Sequence, residues 1–247
     1  MKGNDARAWS KTEEINAAVR GARAAGATKI VVVDCHGAGK GWTFNSLIPD
    51  QLDPDCEWVA HHPWGRYTEM WEEGCDACLL VGMHARNNTP DGVLCHTISG
   101  VQYRNLWFND DLVGESGVNA ALNGHYGVPV ALVTGDEAVC REARDLLGEE
   151  LPTVAVKKGL SRFSARQIAP QRARQMIEEG ARNALRDFAP IRPYVPAAPT
   201  TIRIELNSVD KLADFKGRAG VEITGPLEVE SRAEDWMRAW NQFWAFA

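Results

Sequence analysis

The chain has 247 residues, 45% hydrophobic and 24% charged, which is enough apolar material for one or two packed domains and excludes extended disorder. Its net charge of −6 argues against a nucleic-acid partner, because neutralising phosphates needs clustered Lys and Arg. No apolar run reaches about 18 residues, so no membrane span is expected.

Met1–Ser10 is polar and lacks the apolar segment of a secretion signal, so the expected location is cytoplasmic. Six cysteines are too few for a disulfide scaffold at this length, and reduced thiols are expected. Ser10-Lys11-Thr12-Glu13 has capping-box spacing and predicts a helix start at Ser10, with Ile15, Ala18, Val19 and Ala22 at helical intervals and Gly26 as the stop. Lys29–Asp34 is a β-branched run, predicted as a strand buried on both faces. Further buried runs are Ala77–Gly82 and Val128–Thr134. Glu137–Leu147 reads as a helix, Val154–Val156 as a strand, and Gln167–Phe188 as a helix with scattered charge.

Ala189–Thr200 holds four prolines and reads as a stiff connection. Thr201–Leu206 alternates at period two, the pattern of a half-exposed strand, and Val221–Ile223 and Leu227–Val229 are its candidate partners. A second capping box predicts the last helix to start at Ser231, with Trp236, Trp240 and Trp244 four residues apart. The fold class is therefore α/β: a mostly parallel sheet flanked by helices, with a smaller α+β C-terminal part. The composition shift near residues 160–200 divides the chain into 1–160, which would hold the site, and 161–247, which ends in the Trp-rich helix.

In an open α/β sheet, ligands bind beyond the carboxyl ends of the strands. Two predicted strands end there in histidines, as Asp34-Cys35-His36 and as His84-Ala85-Arg86, and His96 follows twelve residues after His84. Glu115 sits in Gly114-Glu115-Ser116-Gly117, where the simplest reading is a turn carboxylate. Imidazole with carboxylate is also the ligand set of hydrolytic zinc. His61-His62 and His125 read as surface or packing residues. Cys75-x-x-Cys78 has redox spacing, but Cys78 enters a strand instead of starting a helix. The loop Cys35–Gly41 lacks the spacing of a phosphate loop, since Gly41 follows Lys40, and no GxSxG elbow is present.

Several segments, taken in order, resemble the zinc-dependent D-aminopeptidase (DppA-like) family. They are Thr12-Glu13-Glu14, Val33-Asp34-Cys35-His36, Gly82-Met83-His84-Ala85-Arg86, Thr89-Pro90 with Gly92 to His96, Phe108-Asn109-Asp110, Gly114-Glu115-Ser116-Gly117-Val118-Asn119, Gly135-Asp136, and Val156-Lys157 to Arg162. The resemblance covers residues 10–165 well. It implies an aminopeptidase acting on short peptides with an N-terminal D-residue, two zinc ions per chain, and a ring-like homo-oligomer, a homodecamer. His36, His84 and Glu115 fall on the family's zinc-ligand positions and His96 on its catalytic position. Asp34 would orient His36, and Arg86 and Asn119 would hold substrate. The family's remaining ligands lie on a strand with an Asp-x-Glu-Gly motif, and the residues before Thr12 contain none. Fewer than two metals is therefore an open outcome. The alternative is a truncated or non-catalytic oligomeric homologue that binds a peptide or small amide without dinuclear hydrolysis.

Overall fold

The structure is a computed structural model that describes residues 3–36, 47–60, 64, 68–186, 188 and 191–244, with side chains described from residue 10 onward. In chain order the elements are α1 (Gly3–Ala24), β1 (Val31–Val33), β2 (Glu57–Val59), α2 (Glu69–Glu72), β3 (Cys78–Met83), β4 (Tyr103–Phe108), β5 (Asp111–Val113), α3 (Glu115–His125), β6 (Val130–Asp136) and α4 (Glu137–Leu147). Then follow β7 (Thr153–Ser161), β8 (Ser164–Gln167), α5 (Pro170–Arg186), β9 (Thr200–Leu206), β10 (Val221–Ile223), β11 (Glu228–Ala233) and α6 (Trp236–Phe243).

One sheet has the order β3-β6-β7-β8, with β3, β6 and β7 parallel and β8 returning antiparallel. β6 is buried along its whole length, which suits the apolar run Val130–Val133 that opens it. Helices cover both faces. Ala17 and Ala18 of α1 and Ile177 and Ala181 of α5 pack over Leu132 and Val156. Ala120 of α3 and Ala143 of α4 pack over Leu80, Val130 and Val133. The small residues let the helices approach the sheet closely.

The second sheet is antiparallel, with order β10-β11-β9-β4-β5. On β9, Thr200, Ile202, Ile204 and Leu206 are buried and the residues between them are half-buried, as the alternation requires. Trp236, Trp240 and Phe243 of α6 fill the buried side together with Phe108, which meets both tryptophans edge-on. The division expected at residue 160 does not coincide with these sheets. β4 and β5 pair with β9 from beyond it, and α5 packs on α1.

Three local expectations are corrected. α1 begins at Gly3, so Ser10 lies inside the helix. Ser231 belongs to β11, where its hydroxyl donates to the Ala239 carbonyl, and Asp235 caps α6 by accepting from the Arg238 amide at 2.9 Å. β1 pairs in parallel with β2, and its three valines are only partly buried because this pair lies outside the two larger sheets. His61-His62 and most of the Cys35–Gly41 loop lie outside the described residues.

Candidate metal centre

His84 follows β3 directly, His96 lies on the long loop between β3 and β4, and Glu115 opens α3 after its N-cap, Gly114. A carboxylate in a first helical turn gains from the helix dipole. These three side chains converge. Glu115 Oε1 is 3.5 Å from His84 Nε2 and 3.4 Å from His96 Nε2, and the two imidazole rings stack with centroids 4.0 Å apart. Among the described residues they form the one group of three metal-ligating side chains whose donor atoms lie within 4.8 Å of one another.

The hydrogen bonds around this cluster fix which atoms point inward. His84 Nδ1 lies 3.0 Å from the Ala85 carbonyl, and His96 Nδ1 lies 2.7 Å from the Leu94 carbonyl. A carbonyl only accepts, so each Nδ1 carries the proton and each neutral ring turns an Nε2 lone pair toward Glu115. Oε1 already accepts from the Ile98 amide at 2.8 Å. Three electron-rich atoms therefore face one another with no donor among them, and a shared cation or an extra proton relieves that repulsion. Donor atoms on a tetrahedral zinc, with bonds of about 2.0–2.1 Å, sit about 3.3–3.4 Å apart, close to the two His–Glu separations of 3.5 and 3.4 Å. The donor set fits a divalent metal, and a histidine whose other nitrogen donates to a carbonyl is the usual supporting arrangement.

When a proton rather than a metal fills that gap, the histidines carry the positive charge and act on the carboxylate directly. Burial alone would raise the Glu115 carboxyl, but its bond to His84 and the charges of His84 and His96 outweigh burial and hold it at about 2. Burial lowers His84, and the Glu115 carboxylate more than restores it, so the net shift is upward. His96 is shifted down, by burial and by the charge of His84.

His36 stands apart from this cluster. Its Nδ1 and backbone amide both approach Asp34 Oδ1, at 2.8 and 3.0 Å, and Asp34 is buried. The adjacent Cys35 thiol is raised by burial and by the charges of Asp34 and Glu115. Arg86 and Asn119 are committed internally. Arg86 pairs with Glu142 at 2.9 Å, while Asn119 accepts from Trp64 Nε1 and donates to the Glu115 carbonyl. Burial raises both thiols of the Cys75–Cys78 pair, Cys78 to about 12, so neither offers a reactive thiolate. His125 is exposed at the end of α3 and meets Tyr126 edge-on.

Two acidic residues hold the His96 loop: Glu142, which nothing in the sequence singles out, and Asp136, noted there only within the Gly135-Asp136 match. Glu142 of α4 accepts from the Arg86 amide at 2.9 Å and the Thr89 hydroxyl at 2.6 Å. Asp136, fully buried, accepts from the Val93 amide with one oxygen and from the Val139 amide of α4 with the other, each at 2.8 Å. The loop lies directly on β7, where a Cβ at Gly159 would fall 2.0 Å from the Asp91 carbonyl. Leu94 and Ile98, on either side of His96, both take positive φ (54° and 61°), a strained state for a β-branched residue such as Ile98. In those conformations Leu94 supplies the carbonyl for His96, and Ile98 supplies the amide for Glu115.

Comparison with known proteins places this geometry in context. The D-aminopeptidase family model matches residues 3–245. A D-aminopeptidase of Bacillus subtilis (strain 168) is 31% identical over 234 residues, spanning 93% of this chain and 82% of the relative. Among solved structures, the Zn-dependent D-aminopeptidase DppA from Bacillus subtilis, a self-compartmentalizing protease, superposes with a TM-score of 0.86 at 28% identity. That match covers 98% of this chain and 86% of the other.

Proposed function

Because the chain belongs to the D-aminopeptidase family, we propose that it is a zinc-dependent aminopeptidase that removes the N-terminal D-residue from short peptides. The observation that carries this reading is the convergence of His84 Nε2, His96 Nε2 and Glu115 Oε1 with no donor among them. His84 and Glu115 are the metal-binding pair, and His36, oriented by Asp34, is the further ligand. A bound zinc supplies Lewis acidity toward the peptide carbonyl and a water of lowered pKa.

The remaining work falls to the chain itself. The Ile98 amide holds Glu115 Oε1 in place, and the carbonyls of Ala85 and Leu94 keep both imidazoles in the Nδ1–H form. Nε2 of His96 is then the atom that takes or returns a proton at the reacting amide, or steadies charge developing there. The half-exposure of His96, against the deeper burial of His84 and Glu115, suits a residue that meets substrate. A ring-like, self-enclosing homo-oligomer in the cytoplasm completes the reading. It is supported by the self-compartmentalizing neighbour and by the absence, among the described residues, of any helix long and apolar enough to cross a membrane.

The same cluster favours a second reading of His96, as a third metal ligand. Metal content and turnover of His96→Ala separate the two. Zinc retained with turnover of a D-alanyl p-nitroanilide lost supports the catalytic role, whereas zinc lost with turnover supports ligation. Wild-type protein that binds no zinc and hydrolyses neither D- nor L-alanyl p-nitroanilide would overturn the enzyme reading.

A further inference from the structure

Arg162 lies at the turn between β7 and β8, beside the His96 loop. Its carbonyl accepts from the Leu94 amide at 2.7 Å, which ties the turn to the residue whose own carbonyl orients His96. Its guanidinium reaches over Gly100. A Cβ there would lie 2.9 Å from Arg162 Nη2 and 3.5 Å from the Cβ of His96. The guanidinium and the His96 side chain thus flank the same glycine. The charge of Arg162 is felt at His96, which it helps to shift downward.

The arginines that tie to the His96 loop are engaged, Arg86 with Glu142 and Arg141 with Asp91. Arg162 is exposed and has no acidic partner among the described residues. Its guanidinium meets the Phe163 ring, with 5.4 Å to the centroid. Leu94 and Phe163 beside it are 55% and 80% exposed, so the charge is bordered by apolar surface facing outward. An unpaired cation at the rim of a metal centre is poised for an anion, and guanidinium geometry matches a carboxylate through two parallel hydrogen bonds.

We propose that Arg162 binds the C-terminal carboxylate of the substrate and thereby selects peptides of two or three residues. The proposal rests on the aminopeptidase reading above. Arg162 and His96 border the same glycine, and an extended peptide spans about 3.3–3.6 Å per residue. A chain with its scissile amide at His96 therefore brings a carboxylate to Arg162 only if it ends one or two residues later. Longer peptides present a neutral amide there.

The test measures binding apart from turnover. A reduced-amide analogue of D-alanyl-D-alanine, which cannot be hydrolysed, and its C-terminal carboxamide are titrated by calorimetry into zinc-loaded wild type, Arg162→Ala and Arg162→Lys. Wild type is expected to prefer the free carboxylate by roughly 10–100-fold, as a charge-assisted pair gives. Arg162→Ala should lose that preference while its affinity for the carboxamide stays within about twofold, and Arg162→Lys should keep part of it. Kinetically, Arg162→Ala should raise KM for the dipeptide and leave kcat nearly unchanged. Equal losses for both analogues, no loss for either, or a fall in kcat alone would overturn the assignment, the last pointing to charge stabilisation during reaction. Turnover of D-alanyl p-nitroanilide, which carries no carboxylate, reports separately on the aminopeptidase reading. Its absence in wild type removes that reading, whereas its persistence in Arg162→Ala without a lost carboxylate preference removes only this one.

Discussion

Around α6 the molecule is held by aromatic area, and along residues 84–102 it is held by polar ties to buried carboxylates. Phe108, Trp240 and Phe243 are almost fully enclosed; Phe108 meets Trp240 edge-on and Phe243 meets Phe215 edge-on, with no charge among them. The loop that carries His96 has a small apolar anchor of Ala85 and Cys95 against Val139 and Cys140. Its shape comes instead from Glu142, Asp136 and the Asn87–Thr97 bond, with two backbone residues held at positive φ. Apolar burial is non-directional and tolerates small shifts. Hydrogen bonds to fixed acceptors are directional, and a metal-binding constellation must hold its donors to about half an ångström. The two regions should therefore fail differently when cut.

The largest effect is expected at His84. His84→Ala removes one donor from the centre and should abolish zinc retention, with turnover falling on the order of 1000-fold, since metal stabilisation of developing charge is worth several kcal/mol. The fold should survive because the aromatic half does not touch the change. Plasma mass spectrometry and urea unfolding on the same sample check both halves of the statement. In wild type, zinc at 100 times its Kd should raise unfolding stability by about 2.7 kcal/mol, and in His84→Ala it should add nothing.

Trp240→Ala is the converse cut. Deleting a fully buried indole should cost about 3–5 kcal/mol, read from urea unfolding, while zinc content and kcat of the folded fraction stay at wild-type values. Loss of zinc in this variant would mean that the two regions are coupled and would break the comparison.

How far these regions were legible in the sequence follows the same division. Elements set by local periodicity were readable: β6 from its apolar run, α4 over Glu137–Leu147, and β9 from strict alternation. Gln167–Phe188 was shortened to Pro170–Arg186, with proline opening the helix. Long-range pairing was not readable. Nothing local to Tyr103–Phe108 says that it lies beside Thr200–Leu206, so the expected boundary at 160 cuts through one sheet. Ser231 shows tertiary context overriding a local signal, because strand pairing with Ile202 takes the residue that a capping box would use. At the site, strand ends and family resemblance singled out His36, His84, His96 and Glu115, and the fold brings the last three together while His36 pairs with Asp34 instead. Glu142 stayed hidden because an acidic residue on an amphipathic helix resembles any solvated one until the loop is folded onto it.

Glu142→Gln tests that hidden support. The substitution keeps the shape but removes the charge that balances Arg86, and it leaves one of the accepting oxygens an amide donor. The expected cost is about 1–3 kcal/mol of stability. Zinc affinity should fall by roughly 10–100-fold, the usual effect of losing a group that supports metal ligands. Competition with a fluorescent chelator measures the second number. Unchanged zinc affinity would show that the loop holds His84 and His96 in register without the Glu142 ties.

Asp136→Asn sharpens the comparison further, because one side chain there serves two masters. Its Oδ1 caps α4 and its Oδ2 holds the Val93 amide, three residues before His96. Asparagine has one oxygen. If that oxygen keeps the cap, its amide group faces the Val93 N–H, donor against donor, and the loop is released while the helix stays capped. If it keeps Val93, the cap is lost at a cost of about 1 kcal/mol and the loop is spared. Stability should fall by about the same small amount in either case, so unfolding alone does not choose between them. Zinc affinity does: a several-fold drop places the loss on the loop, and an unchanged value places it on the helix. Asp136→Ala removes both bonds and should lower stability and zinc affinity together, which fixes the scale against which the asparagine variant is read.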